Sequence, residues 1–142
     1  MKSSFMKFII TIIGVVVFSH VGQAAGPDKA ALMKRGQAVY TEYCKTCHQA
    51  NGQGLSTVYP PLAGSDYIKT KGAKTVTDNV VNGLKGQITV NGKKFNNVMT
   101  PLPAKYSNAD AASVITFVLN SWGNNGGIVS EADVKKVRKA GK

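Results

Sequence analysis

Apolar residues recur on one side of a predicted helix near the start of the chain. Asp28, which follows Pro27, can accept amide hydrogens of a first helical turn and so marks where this helix begins. The pattern predicts a helix that runs directly into the segment CKTCH, residues 44–48. The positions that form its apolar side are Leu32, Gly36, Val39, Tyr40 and Tyr43.

Gly36 lies on this apolar side although glycine costs helix stability relative to alanine. A glycine there favours a close crossing by a second helix, and the alternative is a tolerated defect. The second helix is predicted after Ser107, with Asp110 as its capping-box partner, and Gly123 ends it. Its apolar stripe consists of Ala111, Val114, Ile115, Val118, Leu119 and Trp122.

Shorter elements are predicted outside these two helices. One helix extends from about Ala73 to Gly83, and the Asn91-Gly92 pair between short alternating runs indicates a small hairpin over residues 87–95. A short basic helix opens at Ser130. The pattern therefore predicts an all-α fold in which the N- and C-terminal helices pack together.

The first residues are predicted to be a secretory signal peptide. Lys2 and Lys7 precede an apolar run, residues 8–18, and small residues follow it. The alternative is an uncleaved membrane anchor, but a run of 11 residues is shorter than the ~20 that cross a bilayer, so we expect cleavage and no stable membrane span after it. Cleavage after Ala24, with Ala25 as the alternative, leaves one domain, residues 25–142.

The exported chain is strongly basic. Removing the leader leaves 16 basic and 7 acidic side chains, a net charge of +9. Such a charge guides a protein towards acidic partners. Nucleic acid is not an expected partner, because an exported chain seldom meets it and the lysines are scattered.

The only two cysteines, Cys44 and Cys47, precede His48 directly. This spacing serves a dithiol redox centre, part of a zinc site, or covalent haem attachment with the histidine as iron ligand. Zinc needs three or four ligands, and His48 is the only histidine after residue 24. A thioredoxin-like dithiol follows a strand, whereas this motif follows a helix. The residues favour haem, with two thioethers and His48 on the iron.

The sixth position of such an iron is either filled by the protein or open. With no second histidine after the leader, the candidates are Met33 and Met99. Met33 lies on the helix that carries the cysteines, about three turns before Cys44, and is poorly placed to reach the opposite face of the haem. We therefore predict Met99, in the loop of residues 96–103, as the distal ligand; the alternative is a gap-filling core methionine.

These motifs resemble the monohaem class I cytochromes c over nearly all of the exported chain. The sequences PPLAGSDYI, GLKGQITVNGKKFNNVM and NSWGNNGGIVSEADVKKVR are similar to a periplasmic bacterial branch found beside or fused to dehydrogenases and copper nitrite reductases. The resemblance implies one covalent haem c in a helical wrap. It also implies a proline carbonyl that accepts a hydrogen bond from His48, with Pro60 at that position and Pro61 as the alternative. Thr100 stands where this branch often has proline.

The resemblance implies a periplasmic one-electron carrier that is not an enzyme. The alternative is a c-type haem enzyme or gas sensor with an open distal iron position. The implied partners are acidic redox proteins, namely a dehydrogenase, a copper protein, or a terminal oxidase or reductase. The candidate docking lysines are Lys45, Lys69, Lys71, Lys74, Lys93, Lys94 and Lys105.

Overall fold

The structure, a computed structural model, describes residues 26 and 28–138; the predicted leader and Ala25 lie outside them. Two strands, β1 (Ile88–Val90) and β2 (Lys93–Phe95), pair antiparallel. The predicted all-α architecture with a small hairpin is confirmed. The helices are α1 (Lys29–Val39), α2 (Lys45–His48), α3 (Asp66–Asn82), α4 (Asn108–Asn120) and α5 (Glu131–Val137), with a π-helical turn (Tyr40–Cys44) between α1 and α2.

Helices α1 and α4 form the main packing contact of the fold. A Cβ added to Gly36 would collide with the backbone carbonyl oxygen of Ser113 and lie 2.7 Å from the Cβ of Phe117. The interpretation of Gly36 as a close helix crossing is therefore confirmed. Around this crossing the core includes several side chains with almost no exposure: Tyr40, Ala111, Val114, Ile115 and Leu119.

Helix α4 begins as predicted but ends earlier. Ser107 Oγ accepts a hydrogen bond from the Asp110 amide at 3.1 Å, and the reciprocal capping-box bond is present. The helix ends at Asn120, and Trp122 follows with a φ of +52° instead of continuing the helical stripe. Its indole nevertheless packs on Tyr40, at a ring-centroid distance of 5.0 Å. The prediction that the helix continues through Trp122 was therefore wrong, although the Trp122 side chain still packs on Tyr40, which belongs to the predicted apolar side of the first helix.

Helix α3 is longer than the predicted segment 73–83. It begins at Asp66, where Ser65 Oγ caps it by accepting the Ile68 amide at 3.2 Å. Gly72 interrupts the helix with a φ of +72°, so the residues before and after this kink have different registers. The kink explains why periodicity predicts only the second part.

The hairpin and the last helix both contact α3. Asn91 and Gly92 have φ values of +49° and +75°, both positive, as a tight two-residue turn requires. The Asn91 and Asp66 side chains each accept the other residue's amide, at 3.0 and 2.7 Å. Asn82 donates to the Val137 carbonyl at 2.8 Å, while Val134 is fully buried. No helix in the described part of the chain has the length and apolar character needed to cross a membrane.

Candidate haem-binding site

The predicted attachment residues lie where the π-helical turn passes into α2. Cys44 and Cys47 are both half-buried, and neither forms a disulfide. Burial, together with the neighbouring Cys47, raises the pKa of the Cys44 thiol to about 12. Cys44 is therefore a protonated thiol at neutral pH. This arrangement leaves both sulfurs available for bonds to a group outside the chain.

His48 is buried, with 8% of its surface exposed, and its orientation is fixed by Pro60. Its Nδ1 lies 3.0 Å from the Pro60 carbonyl oxygen. A carbonyl oxygen can only accept, so Nδ1 carries the proton and Nε2 keeps its lone pair. Burial lowers the pKa of His48 despite the opposing effect of the Pro60 bond, which favours the neutral imidazole that binds metals. The contact comes from Pro60, not from the alternative Pro61.

Two glycines shape the loop between His48 and Pro60. The Gly54 amide donates to the His48 carbonyl at 3.0 Å, and a Cβ on Gly54 would collide with the carbonyl groups of Tyr59 and Pro60. A Cβ on Gly52 would lie 2.6 Å from the Trp122 indole. Sequence reasoning missed both residues, although a Gly-x-Gly spacing in a short loop indicates positive φ values of the kind found here, +65° and +69°.

The backbone around Met99 is held against the end of α3. The amides of Leu84 and Met99 each donate to the other's carbonyl, at 3.0 and 2.9 Å. Gly83 lies under this bridge, because a Cβ there would be 2.7 Å from the Met99 carbonyl oxygen. The Leu102 amide also donates a hydrogen bond to the Val80 carbonyl oxygen, at 2.8 Å. Met99 itself is half-buried, and sequence reasoning did not identify the role of Gly83.

The Pro60 loop, residues 49–61, and the Met99 loop, residues 96–103, lie next to each other. The Asn97 amide group donates to the Val58 carbonyl at 3.2 Å. Three of the large apolar side chains that the described residues leave exposed belong to these two loops: Leu55 at 48%, Val58 at 40% and Val98 at 58%. A large apolar group between the loops would take this surface out of water.

The residues fit a covalent haem on three counts. The paired thiols can attach it, Nε2 of His48 is free for iron, and three exposed large apolar side chains belong to the two loops beside the motif. The fit to a zinc site is poorer. Among residues 28–138, no three side chains of His, Cys, Asp or Glu come together in a group that could hold a metal ion.

Comparisons with known proteins point to the same cofactor. The family model for cytochrome c matches residues 33–122. Cytochrome c-552 of Thermus thermophilus is 35% identical over 106 residues, which cover 72% of each chain. The cytochrome c subunit of the quinone alcohol dehydrogenase of Gluconobacter oxydans (strain 621H) is 30% identical over 142 residues. That match covers 95% of this chain and 29% of the subunit.

A further relative is the fructose dehydrogenase cytochrome subunit of Gluconobacter japonicus, 31% identical over 112 residues, which cover 75% of this chain and 22% of the relative. The chain thus spans less than a third of the dehydrogenase subunits that it matches. The cofactor that the family and the Cys44/Cys47 spacing imply is one covalently bound haem c. The family match and the c-552 likeness together place this chain in the cytochrome c family.

Proposed function

We propose that this chain is a periplasmic one-electron carrier whose iron is bound by His48 and Met99. Haem-based electron transfer follows from membership of the family; the ligands, the location and the shuttling role are the proposal. The observation that carries it is the His48–Pro60 contact of 3.0 Å, because it orients a neutral imidazole with Nε2 free. Cys44 and Cys47 would hold the haem as thioethers.

The bound haem supplies one reversible electron, and the residues of the chain determine how it is used. If His48 and Met99 both hold the iron, these side chains would keep substrates off it, which argues for a carrier and against an enzyme. The Pro60 carbonyl fixes the His48 ring and tunes its basicity. A methionine ligand raises the reduction potential relative to two histidines. The Leu84 and Gly83 contacts hold the backbone of Met99 in one position.

The proposed location depends on the leader. Residues 1–24 have the charge and apolar order of a signal peptide, and cleavage would release residues 25–142 into the periplasm. N-terminal sequencing of protein from the periplasmic fraction tests this. A mature chain that begins at Ala25 or Gly26 supports export, and an intact Met1 would contradict it.

The proposed partners are redox proteins with acidic surfaces, a dehydrogenase among them. The support is the charge of +9 on residues 25–142 and the likeness to cytochrome subunits of alcohol and fructose dehydrogenases. Of the candidate docking lysines, Lys105 is already engaged: its Nζ lies 2.5 Å from Glu42 and 4.9 Å from the Tyr106 ring centroid. Lysines 93 and 94, on the exposed hairpin, are better placed to meet a partner. Transfer rates to an acidic partner should fall as salt rises.

The substitution Met99→Ala tests the distal ligand. We expect the oxidised protein to lose its weak far-red sulfur-to-iron band and the reduced protein to bind carbon monoxide. Met33→Ala is the matched control, because Met33 is also half-buried but lies on α1, and its spectrum should equal that of the wild type. An unchanged spectrum in Met99→Ala would contradict the assignment. An open iron in the wild type would instead favour the haem enzyme or gas sensor.

A further inference from the structure

The Tyr43 hydroxyl joins the haem-attachment segment to the Met99 loop. Its oxygen lies 2.9 Å from Thr100 Oγ1 and 3.3 Å from the Pro101 carbonyl oxygen. Because a carbonyl oxygen only accepts, Tyr43 donates to Pro101 and can accept from the Thr100 hydroxyl. One arrangement of protons satisfies both contacts. The two residues that Tyr43 contacts are the ones that follow Met99 directly.

The Tyr43 side chain is restrained at both ends, by the backbone of the π-helical turn and by packing of its ring. It leaves the π-helical turn immediately before Cys44, and π-helical turns are frequent at functional sites. Its ring packs on Tyr106 at a centroid distance of 6.0 Å and an angle of 54°. The Tyr106 amide in turn donates to the Pro103 carbonyl at 3.0 Å. The Tyr43 hydroxyl is therefore held in place by both the attachment segment and the stretch that follows the Met99 loop.

The two ends of the Met99 backbone are restrained in different ways. On the N-terminal side, Met99 pairs with Leu84 through two backbone hydrogen bonds. On the C-terminal side the next backbone bond is the one from the Leu102 amide to the Val80 carbonyl, and Thr100 itself lacks the fixed φ of a proline. The Tyr43 contacts act between Met99 and Leu102, at Thr100 and Pro101, and they span 57 and 58 residues of sequence.

We propose that Tyr43 is a positioning residue for Met99. Through Thr100 and Pro101 it holds the loop closed, so that the methionine stays on the iron and foreign ligands compete poorly. The inference rests on the proposed His48/Met99 ligation. It adds that a residue of the haem-attachment segment restrains the loop that carries the distal ligand.

The test is imidazole binding to the oxidised holoprotein, with imidazole as the competing ligand. Tyr43→Phe removes both contacts and should raise the apparent imidazole affinity about fivefold, the equivalent of one net hydrogen bond of ~1 kcal/mol. Thr100→Val removes one contact and should give a smaller rise, whereas Thr100→Ser keeps the hydroxyl and should match the wild type. Because Thr100 lies outside the attachment segment, it tests the same bond if Tyr43→Phe impairs haem attachment.

Tyr67→Phe is the matched tyrosine control, since the Tyr67 hydroxyl contacts Asn79 within α3. Its imidazole affinity should equal that of the wild type. Amide hydrogen exchange gives an independent readout. In Tyr43→Phe the Met99 and Leu84 amides should exchange faster, while those of α4 keep the wild-type rate.

The inference and the proposed function fail in different ways. A wild-type protein without the far-red band and with an open iron would overturn the His48/Met99 ligation, and the inference with it. A wild-type protein with the band, but with unchanged imidazole affinity and exchange in Tyr43→Phe and Thr100→Val, would overturn the inference alone.

Discussion

The α1–α4 crossing and the two loops that carry Pro60 and Met99 are held together in different ways. At the crossing, many small and apolar side chains are buried together, and Ile115 and Leu119 have no exposed surface. In the loops, single contacts such as His48–Pro60 fix the backbone, while Leu55, Val58 and Val98 remain exposed. The first region should therefore determine stability, and the second should determine how the iron is bound.

The largest expected effect is at the crossing. Gly36→Ala places a methyl group against the Ser113 carbonyl, and this overpacking should lower the free energy of unfolding by about 3 kcal/mol. Denaturant unfolding of the holoprotein measures it. Gly26→Ala is the control, because no atom of the residues that the structure describes lies within 4 Å of the added methyl group. If Gly36→Ala were as stable as the wild type, close packing at the crossing would be contradicted.

The second-largest effect is expected at Gly83, where a substitution should change both the stability and the far-red band. Gly83→Ala adds a methyl group 2.7 Å from the Met99 carbonyl and strains a φ of +80°. We expect a loss of about 2 kcal/mol together with a weakened far-red band. Gly86→Ala has a φ of +99°, and no atom in the described part of the chain lies within 4 Å of the new methyl group, so this variant carries only the backbone strain. It should lose stability and keep the band; equal bands in both variants would contradict the role of Gly83.

The smallest effect concerns acid stability at the start of α4. Burial alone would raise the pKa of Asp110, but hydrogen bonds from Ser107 and Arg35 outweigh it and hold the pKa below its ordinary 3.8. Because the folded pKa is the lower one, the contribution of Asp110 is present above 3.8 and is lost as pH falls through the folded value.

Asp110→Asn should lower the free energy of unfolding by about 1 kcal/mol at neutral pH and flatten its decline in acid. Thermal unfolding between pH 7 and pH 2 measures both. Glu131→Gln serves as control, because Glu131 is an exposed carboxylate at the start of α5. A decline in Asp110→Asn as steep as that of the wild type would show that other carboxylates determine it.

The crossing and the hairpin could be predicted from the sequence because their signals are local or repeat along the chain. The Ser107–Asp110 capping box and the Asn91-Gly92 turn each lie within four residues. Gly36 indicated a close helix crossing because it is a glycine among the apolar positions of a predicted helix. The same periodic reasoning failed where a glycine interrupts the helix, as Gly72 does in α3.

The loops were harder to predict because their contacts join distant parts of the chain. The sequence identified the CKTCH segment, and the resemblance brought in Pro60, which contacts His48 at 3.0 Å. The sequence also singled out Met99 by elimination, which remains a prediction. No local pattern could indicate that Tyr43 meets Thr100, 57 residues away, because such a pair depends on how the loops fold over one another.

The most direct test of the central claim is an optical spectrum of the exported protein, oxidised and then reduced, with carbon monoxide added last. A closed His48/Met99 iron predicts sharp ferrous c-type bands, a weak far-red band when oxidised and no response to the gas. A high-spin spectrum that shifts with carbon monoxide would contradict the account, because the iron would then be open to a substrate or signal.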